Sequence, residues 1–484
     1  MTTANEVLDV LVIGAGLSGI GAGYHLQTKS PTRTYAILES RDAIGGTWDL
    51  FRYPGIRSDS DMHTLGFSFK PWKGAKAIAD GPSILEYIRE TAREYGIDRK
   101  IRFGHRVLRA SWSSTTSAWT VDVEKTATGE VVQLTCSFLL MCSGYYDYQA
   151  GYTPDLPGMD RFGGRIVHPQ KWTDDVAYAG KRVVVIGSGA TAVTLVPELA
   201  KKAAHVTMLQ RSPTYILSLP AVDVVAKFLE RTLPSDVAYG VTRWKNVALA
   251  MAMFNLSRRF PERAKKLMIG GVRKNLGPDA DVETHFTPRY HPWDQRLCLV
   301  PDGDLFEAVK SGRAEVVTDR IETFDETGIV LESGKKLEAD LVVTATGLEL
   351  LLLGDVKLTV DGEAIDVGKT LNYRGTMLSN VPNLAIALGY TNASWTLKAD
   401  LVCEFVCRLL NHMEKAGQKK AIARPEHDMP VEPLLDFSSG YVQRALGRLP
   451  KQGTKAPWRL YQNYLIDLLG FRYGKIEDGV IELS

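Results

Sequence analysis

The sequence is poor in cysteine, in net charge and in long apolar runs, and each shortage excludes a class of protein. Only five of the 484 residues are cysteine, and no two have the C-x-x-C spacing typical of zinc or dithiol sites. The 58 basic and 56 acidic residues nearly cancel, which argues against a nucleic-acid partner. No stretch reaches about 18 consecutive apolar residues, and the N-terminal apolar run lacks a basic segment before it. We therefore expect a globular cytoplasmic protein with reduced thiols, no bound metal, no membrane span and no signal peptide.

Glycine, by contrast, is frequent, and its most informative cluster lies near the N-terminus. An apolar strand pattern ends at Gly14, and Gly16 and Gly19 complete the G-x-G-x-x-G spacing of a dinucleotide-binding turn, in which the backbone and the following helix approach a pyrophosphate. Glu39 ends the next predicted strand about 20 residues later, where an acid binds an adenosine ribose 2′-hydroxyl. This site is predicted to bind FAD or NAD rather than NADP, because an acid repels a 2′-phosphate.

The same pattern occurs a second time after residue 181. A strand pattern from Val183 to Ile186 is followed by a second turn with Ala192 at the place of the last glycine, and the turn comprises Gly187, Ser188, Gly189, Ala190 and Thr191. The next predicted strand ends in Arg211 and Ser212 instead of an acid. Because a guanidinium matches a 2′-phosphate, this second site is predicted to bind NADPH.

Two such turns predict an α/β fold with two Rossmann-like dinucleotide-binding domains. We assign residues 1–150 to the first part of a FAD-binding domain, 151–180 to a linker and 181–338 to an NADPH-binding domain. A strand pattern after Ala339 resembles the one that ends before Gly144, so residues 339–484 are predicted to complete the FAD-binding domain and to supply the C-terminal region. The NADPH-binding domain is then inserted into the FAD-binding domain.

Helical apolar spacing from about residue 221 to 290 predicts a helical insertion within the second domain. Nine Lys or Arg residues lie between Arg243 and Lys274, against the single acid Glu262. A basic amphipathic segment can lie on an anionic membrane, so peripheral association with the cytoplasmic membrane face is one interpretation of this segment. A solvated helical insertion that covers the cofactor cleft is the more common arrangement, and both interpretations stay open.

Two further segments carry a resemblance to a known family. Phe162, Gly164, His168 and Trp172 match the F-x-G-x-x-x-H-x-x-x-W fingerprint of Baeyer–Villiger monooxygenases, although Thr173 stands where the family usually has Pro or Asp. The shorter N-terminal fingerprint of the family is also met, at Gly46, Trp48, Tyr53, Pro54, Gly55 and Asp59. The resemblance covers essentially the whole chain.

This resemblance implies an enzyme that uses FAD, NADPH and O₂ to convert ketones to esters or lactones through a flavin peroxide, with sulfoxidation of thioethers or thioamides as a side activity. Such chemistry needs a fixed cation beside a developing oxyanion, and a guanidinium keeps its charge at working pH. Arg296 matches the catalytic arginine of the family, and Asp59 is the carboxylate that orients it. His168 and Trp172 are expected to act as a hinge between the domains.

The resemblance also implies which residues contact the cofactors. The expected FAD contacts are Gly14, Gly16, Ser18, Gly19, Glu39, Gly46, Thr47, Trp48, Asp59 and Val107. The expected NADPH contacts are Arg57, Ser58, Gly187, Ser188, Gly189, Ala190, Thr191, Arg211 and Ser212. Trp395, predicted on a loop, would line the substrate cavity. Two other functions stay open: a flavin-containing monooxygenase restricted to soft nitrogen or sulfur atoms, and a flavoprotein that senses NADPH without catalysis.

Overall fold

A computed structural model describes residues 6–484 of the chain. Residues 6–151 form seven strands and four α-helices. The strands of this part are β1 (Val7–Ile13), β2 (Tyr35–Leu38), β3 (Ile101–Arg102), β4 (His105–Ser113), β5 (Ala118–Lys125), β6 (Glu130–Met141) and β7 (Tyr146–Gly151). Its helices are α1 (Leu17–Lys29), α2 (Thr47–Leu50), α3 (Met62–Leu65) and α4 (Gly81–Glu94).

The central part of the chain, residues 152–346, contains ten strands and six helices. The strands are β8 (Arg165–Val167), β9 (Arg182–Ile186), β10 (His205–Gln210), β11 (Ile216–Leu219), β12 (Cys298–Pro301), β13 (Ala314–Thr318), β14 (Ile321–Asp325), β15 (Gly328–Leu331), β16 (Lys336–Glu338) and β17 (Leu341–Thr344). The helices are α5 (Ala190–Leu199), α6 (Val224–Thr232), α7 (Ser235–Arg259), α8 (Pro261–Leu276), α9 (Val282–Phe286) and α10 (Asp304–Lys310).

The last part of the chain, from residue 347, has short strands around one long helix. The strands are β18 (Leu348–Leu350), β19 (Lys357–Val360), β20 (Glu363–Ala364), β21 (Asn372–Tyr373), β22 (Met377–Leu378), β23 (Leu384–Ile386), β24 (Ala421–Ala423), β25 (Val431–Pro433), β26 (Lys451–Gly453) and β27 (Ile481–Leu483). The helices are α11 (Trp395–Lys415), α12 (Gly440–Ala445) and α13 (Tyr464–Tyr473).

The first sheet combines strands from both ends of the chain. Its order is β20-β19-β4-β5-β6-β1-β2-β3, and β23 also pairs with β6. β1 lies parallel to β2 and to β6, with Ile13 opposite both Leu38 and Met141. Because parallel strands end at the same edge of a sheet, the first glycine turn, Glu39 and Cys142 meet there. We call residues 6–151 and 347–484 the first unit.

The second sheet is entirely parallel, with the order β13-β10-β9-β17-β8. The prediction that the strand after Ala339 returns to the first sheet is wrong, because β17 pairs with β9 and places Val343 opposite Val185. The strand pattern recurs because β17 is the counterpart of β6: each lies beside the strand that leads into a glycine turn. β8, from the predicted linker, also joins this sheet. We call residues 152–346 the second unit.

The two units are joined by a short ribbon and by the helical insertion. β7 and β18 pair antiparallel where the chain leaves the first unit and returns to it. The insertion forms α6 to α9, within the predicted range. In α7, the buried Arg243 donates to the carbonyl oxygens of His63 at 2.8 Å and Gly66 at 2.7 Å. α8 instead packs its buried Ile269 and Val272 in the core of the second unit. The insertion is thus fastened to both units.

The surface of the insertion is unusual because one side of α7 is exposed and apolar. Its exposed large residues are Val237, Val241, Trp244, Leu249 and Leu256, and we call them the α7 stripe. Their side chains are between 47% and 65% exposed. None of the helices found within residues 6–484 has both the length and the apolar character needed to cross a bilayer. All five cysteines are buried and free.

Candidate functional site

Both glycine turns face one cavity of about 1800 Å³. A pocket for one small ligand usually measures about 300–1,000 Å³, so this cavity has room for more than one molecule. The predicted site residues on its wall are Gly14, Gly16, Ser18, Glu39, Gly46, Thr47, Trp48, Arg57, Ser58, Asp59, Val107, Gly187, Ser188, Gly189, Ala190, Thr191, Arg211, Ser212, Arg296 and Trp395. Gly19, His168 and Trp172 do not line it.

The first turn is shaped by close contact with the neighbouring strand. Gly14 has a φ of +106°, and a Cβ atom there would lie 2.6 Å from the carbonyl oxygen of Cys142. Gly19 lies against the turn itself, since its Cβ would come within 1.9 Å of the Gly14 carbonyl oxygen. Helix α1 begins without a side-chain cap, which leaves its first N–H groups directed at the cavity. The turn therefore fits a bound diphosphate.

Glu39 is placed to bind a sugar hydroxyl beside this turn. Its buried carboxylate accepts hydrogen bonds from the backbone N–H groups of Ala15 at 2.8 Å and Arg41 at 3.0 Å. The Oε1 atom accepts a further bond from the Ser40 hydroxyl at 3.4 Å, whereas Oε2, within residues 6–484, accepts only the Ala15 N–H and keeps a lone pair for a ribose 2′-hydroxyl. These acceptor oxygens fit the ribose of an adenine dinucleotide without a 2′-phosphate, and the role of Glu39 as a FAD contact stays a prediction.

A loop after β2 covers the first turn. The Gly45 N–H donates to the Ala15 carbonyl at 3.1 Å, and a Cβ on Gly16 would lie 3.5 Å from the Cα of Gly46. Arg41 reaches into the same cavity and pairs with the buried Asp49, Nη2 to Oδ2, at 2.6 Å. Sequence analysis missed Arg41, although its position two residues after Glu39 is a usable signal.

The second turn has the same backbone but no cover. Gly187 has a φ of +133° and packs on the Ala345 carbonyl as Gly14 does on Cys142, whereas a Cβ on Gly189 would meet no atom within 4 Å. The Ser188 hydroxyl donates to the Ser212 carbonyl at 3.0 Å and so ties the turn to the end of β10. This arrangement leaves the second turn open to a ligand.

The side chains predicted to contact NADPH differ in whether they already bond to other residues of the protein. Arg211 is exposed, and its guanidinium has no ion pair within the part of the chain that the structure describes. Arg57 lines the cavity, but both of its terminal nitrogens bond to the carboxylate of Asp304 at the start of α10. The Ser58 hydroxyl is buried and donates to the Ser60 carbonyl at 2.6 Å. Arg211 is therefore available to a phosphate at this turn, whereas Arg57 is held by Asp304.

The structure brings Arg296 and Asp59 together, although they are far apart in the sequence. The Arg296 Nη2 lies 2.7 Å from the Asp59 Oδ2, and each side chain is about one-third exposed, at 35% and 32%. The Asp59 carboxylate, against the opposing effect of burial, raises the pKa of Arg296 above its ordinary value. Arg296 is thus a permanent cation on the wall of the shared cavity.

Aromatic side chains form the wall near this cation. The Tyr145 and Tyr146 hydroxyls are 2.9 Å apart, and the Tyr145 ring stacks on Trp395 with centroids 5.1 Å apart. The Trp395 Nε1–H donates to the Ser18 hydroxyl at 2.7 Å, and Trp395 is the first residue of α11 rather than a loop residue. Burial raises the pKa of Tyr441, on α12, to about 12, so its phenol stays neutral.

Sequence analysis missed these three tyrosines. Tyr145 and Tyr146 directly follow the Gly144 that ends the β6 segment, so their place at the sheet edge could have indicated them. Tyr441 gave no such signal, because α12 reaches the cavity only through tertiary packing.

His168 and Trp172 lie behind the cavity wall. The His168 Nδ1 accepts from the Gln170 N–H at 3.1 Å, so its Nε2–H donates to the Gly347 carbonyl, also at 3.1 Å. Burial lowers the pKa of His168 and favours this neutral form. Trp172 is buried in the second unit, with its ring 6.1 Å from that of Tyr178. His168 therefore ties the linker to the segment that re-enters the first unit, and a hinge role stays a prediction.

Two dinucleotide turns that share one cavity with a permanent guanidinium define a flavoenzyme that uses a second, nicotinamide cofactor. Residues 77–352 match the family model described as flavin-binding monooxygenase-like, and residues 12–80 match an NAD(P)-binding Rossmann-like domain. The chain belongs to the flavin-binding monooxygenase family. The predicted enzyme class and α/β fold with Rossmann-like units are confirmed.

Individual relatives agree with this assignment. The chain is 55% identical to the FAD-containing monooxygenase EthA of Mycobacterium tuberculosis over 475 residues, which cover 98% of this chain and 97% of EthA. It is 48% identical to the probable FAD-binding monooxygenase AlmA of Acinetobacter baylyi, with 99% and 96% covered.

Solved structures show the same fold. A steroid monooxygenase bound to NADP superposes with a TM-score of 0.73 at 25% identity, covering 87% of this chain and 88% of that one. A cyclohexanone monooxygenase gives a TM-score of 0.76 at 22% identity, covering 99% and 100%. The predicted resemblance to Baeyer–Villiger monooxygenases and the prediction of FAD and NADP as cofactors are confirmed.

Proposed function

We propose that this protein is an NADPH- and O₂-dependent Baeyer–Villiger monooxygenase that converts ketones to esters or lactones. In the overall reaction, ketone, O₂, NADPH and one proton give ester, water and NADP⁺. The observation that carries the proposal is the Arg296–Asp59 pair on the cavity that both glycine turns share. A monooxygenase restricted to soft nitrogen or sulfur atoms has no need of a fixed cation for a carbonyl oxygen.

The two units divide the cofactors between them. The first unit binds FAD through the Gly14–Gly19 turn and Glu39, and the second unit binds NADPH through the Gly187–Thr191 turn and Arg211. FAD held at the first turn would supply the redox chemistry, namely hydride acceptance from NADPH and activation of O₂. This division follows from the carboxylate beside one turn and the guanidinium beside the other.

The other side chains orient and protect the substrate. Arg296 stabilises the negative charge that develops on the carbonyl oxygen of the ketone, and Asp59 holds the guanidinium in place. The wall formed by Tyr145, Tyr146 and Trp395 packs against the apolar part of the ketone and excludes water. Oxidation of a thioether sulfur creates no such oxyanion, so we propose it as a side activity that depends less on Arg296.

The Arg296→Ala variant tests this function. It should keep bound FAD and its reduction by NADPH under anaerobic conditions, while ester formation falls about 100- to 1,000-fold and hydrogen peroxide release rises. Arg296→Lys should also be impaired, since an ammonium lacks the planar fork. Arg289→Ala, an exposed arginine outside the cavity, is the matched control. Ester formation by Arg296→Ala at the wild-type rate would refute the proposed role of the pair.

We further propose that the insertion associates peripherally with an anionic membrane surface on the cytoplasmic side. The α7 stripe and the exposed Phe228 of α6 offer apolar area, and exposed cations follow on α8 at Arg263 and Lys266. An apolar face beside basic side chains complements a negatively charged bilayer.

Vesicle sedimentation tests this association. The holoprotein should sediment with phosphatidylserine-containing vesicles at low salt, and less with purely zwitterionic vesicles. The double variant V241E/L249E should stay in the supernatant, whereas Val131→Glu, at an exposed position on β6, should behave as wild type. Equal sedimentation of wild type and double variant would contradict the proposal.

A further inference from the structure

The open second turn has a neighbour that sequence spacing did not single out. Arg320 follows β13 and lines the shared cavity together with Arg211. Both side chains are exposed. For residues 6–484, neither guanidinium has a carboxylate oxygen within 4 Å in the structure. Two such guanidiniums on one cavity wall are both available to an anionic ligand.

Strand register places the two arginines at the same sheet edge. β10 and β13 are parallel neighbours with Gln210 opposite Thr318, and the Asp319 N–H donates to the Gln210 carbonyl at 3.0 Å. Arg211 and Arg320 therefore leave the second sheet from adjacent strand ends. In a doubly wound sheet, ligands bind in the crevice at the carboxyl ends of the strands.

The segment that carries Arg320 is held by backbone contacts. The Glu332 N–H donates to the Arg320 carbonyl at 2.9 Å, and the Arg320 N–H donates to Asp319 Oδ1 at 2.7 Å. Hydrogen bonds from the Ser333 side chain, in the turn after β15, and from the Arg320 N–H lower the pKa of the Asp319 carboxyl. The backbone at Arg320 is thus fixed, while its guanidinium is not used by the fold.

We propose that Arg320 is a second specificity-determining residue, which binds the 2′-phosphate of the nicotinamide cofactor together with Arg211. This inference rests on the proposed function of the second turn as the NADPH site. Each guanidinium can donate two hydrogen bonds to phosphate oxygens, so cations on adjacent strand ends can bind one phosphate from two sides. The cofactor preference then depends on both strands rather than on the end of β10 alone.

Calorimetric titration of the holoprotein with NADP⁺ and with NAD⁺ tests this role without any turnover. The wild type should bind NADP⁺ more tightly. Arg320→Gln should weaken NADP⁺ binding roughly tenfold and change NAD⁺ binding less than about twofold, because only NADP⁺ carries the phosphate. Arg320→Lys should restore part of the loss. In R211Q/R320Q the two affinities should become nearly equal.

Arg313→Gln is the matched control, since Arg313 is an exposed arginine at the opposite end of β13 whose Nε–H donates to the Ser311 hydroxyl outside the cavity. It should leave both affinities unchanged. Adenosine 2′,5′-bisphosphate should compete with NADP⁺ in the wild type and about tenfold more weakly in Arg320→Gln.

The possible results separate this inference from the proposed oxygenation. Equal losses for NADP⁺ and NAD⁺ in Arg320→Gln would overturn the proposal, because they would indicate contact with the adenine instead of the phosphate. Unchanged affinities would overturn it as well, as would a wild type without preference for NADP⁺. A protein that binds NADP⁺ as expected but makes no ester would disprove the ketone chemistry and leave the phosphate contact standing.

Discussion

The two glycine turns of this protein have nearly the same backbone and very different surroundings. In the first, Ala15 and Ser18 are buried and the loop through Gly45 lies against the turn. In the second, Gly189 and Ala190 are exposed. The acid beside the first turn is only 6% exposed, whereas Arg211 beside the second is exposed. The difference comes from what covers each turn, since the turns themselves repeat one pattern.

This contrast suits two cofactors with different lifetimes on the enzyme. A ligand in the first turn can leave only if the covering loop moves, so it should remain bound through many turnovers. A ligand in the second turn meets no such barrier and can be exchanged after each reaction. A covered turn beside an acid and an open turn beside a cation fit a resident flavin and a nicotinamide cofactor consumed as substrate.

The largest expected effect comes from exchanging the last position of the G-x-G-x-x-G pattern, which is Gly19 in the first turn and Ala192 in the second. Gly19→Ala places a Cβ 1.9 Å from the Gly14 carbonyl oxygen, so the turn must open at a cost of about 3 kcal/mol. The variant should purify with most of its FAD lost and with a lower melting temperature.

Ala192→Gly is the reciprocal change. It adds only the cost of a glycine in a helix, about 1 kcal/mol, and should keep FAD. Flavin absorbance per chain and thermal melting measure both variants. Full FAD content in Gly19→Ala would contradict the close packing of Gly19 against the first turn.

A smaller effect is expected when the charged partners are removed. Glu39→Ala should weaken FAD binding about tenfold to a hundredfold with NADPH binding unchanged, because a hydrogen bond to a charged group contributes about 1.5–3 kcal/mol. Arg211→Ala should do the reverse, with a similar loss for NADPH and little change for FAD or NADH. FAD titration of the deflavinated protein measures the affinity for FAD, and steady-state kinetics measure the use of NADPH and NADH. A variant that weakens the binding of both cofactors equally would contradict the proposed division of the cofactors between the units.

The smallest expected effect is on the pH dependence of stability, through His168 between the two units. Because burial lowers the pKa of His168, the unfolded chain takes up a proton at higher pH than the folded chain does. Its contribution to stability is therefore present above the ordinary histidine pKa of about 6.5 and is lost as the pH falls through the lower folded value. Between about pH 7.5 and about pH 5.5, the melting temperature should fall less in His168→Gln than in the wild type. The difference between the two decreases should be about 2 °C or less. The exposed His427→Gln is the control, and identical pH profiles for all three proteins would contradict the assignment.

Much of the site could be predicted because its signals are local. The glycine spacing, Glu39 and Arg211 each depend on a turn or a strand end, which nearby residues decide. The sheet that β17 joins could not be predicted in this way. A run of apolar residues indicates a buried strand, but it does not determine which strand it pairs with. Likewise, only tertiary packing shows that Arg57 bonds to Asp304.

The family resemblance predicts the pair Arg296 and Asp59, but it does not predict Tyr441. α12 reaches the cavity because Val442 and Ala445 pack with Leu350 and Phe437 in a small core at the edge of the first unit. No periodic pattern in the sequence connects these segments. Local motifs thus predicted the cofactor turns, and the side chains that would surround a substrate needed the structure.

The interleaved order of the two sheets has a consequence for synthesis on the ribosome. The second sheet draws all its strands from residues 165–344, so it can close as soon as β17 has been made. The first sheet needs β19, β20 and β23, and the Ser18–Trp395 hydrogen bond needs the start of α11. The N-terminal strands must therefore wait, with the edge of β6 at Leu139–Met141 uncovered, until more than 380 residues have been translated. The unit that begins the chain is the last to be completed, so under the proposed division of the cofactors the second unit is finished before the flavin has a site to enter.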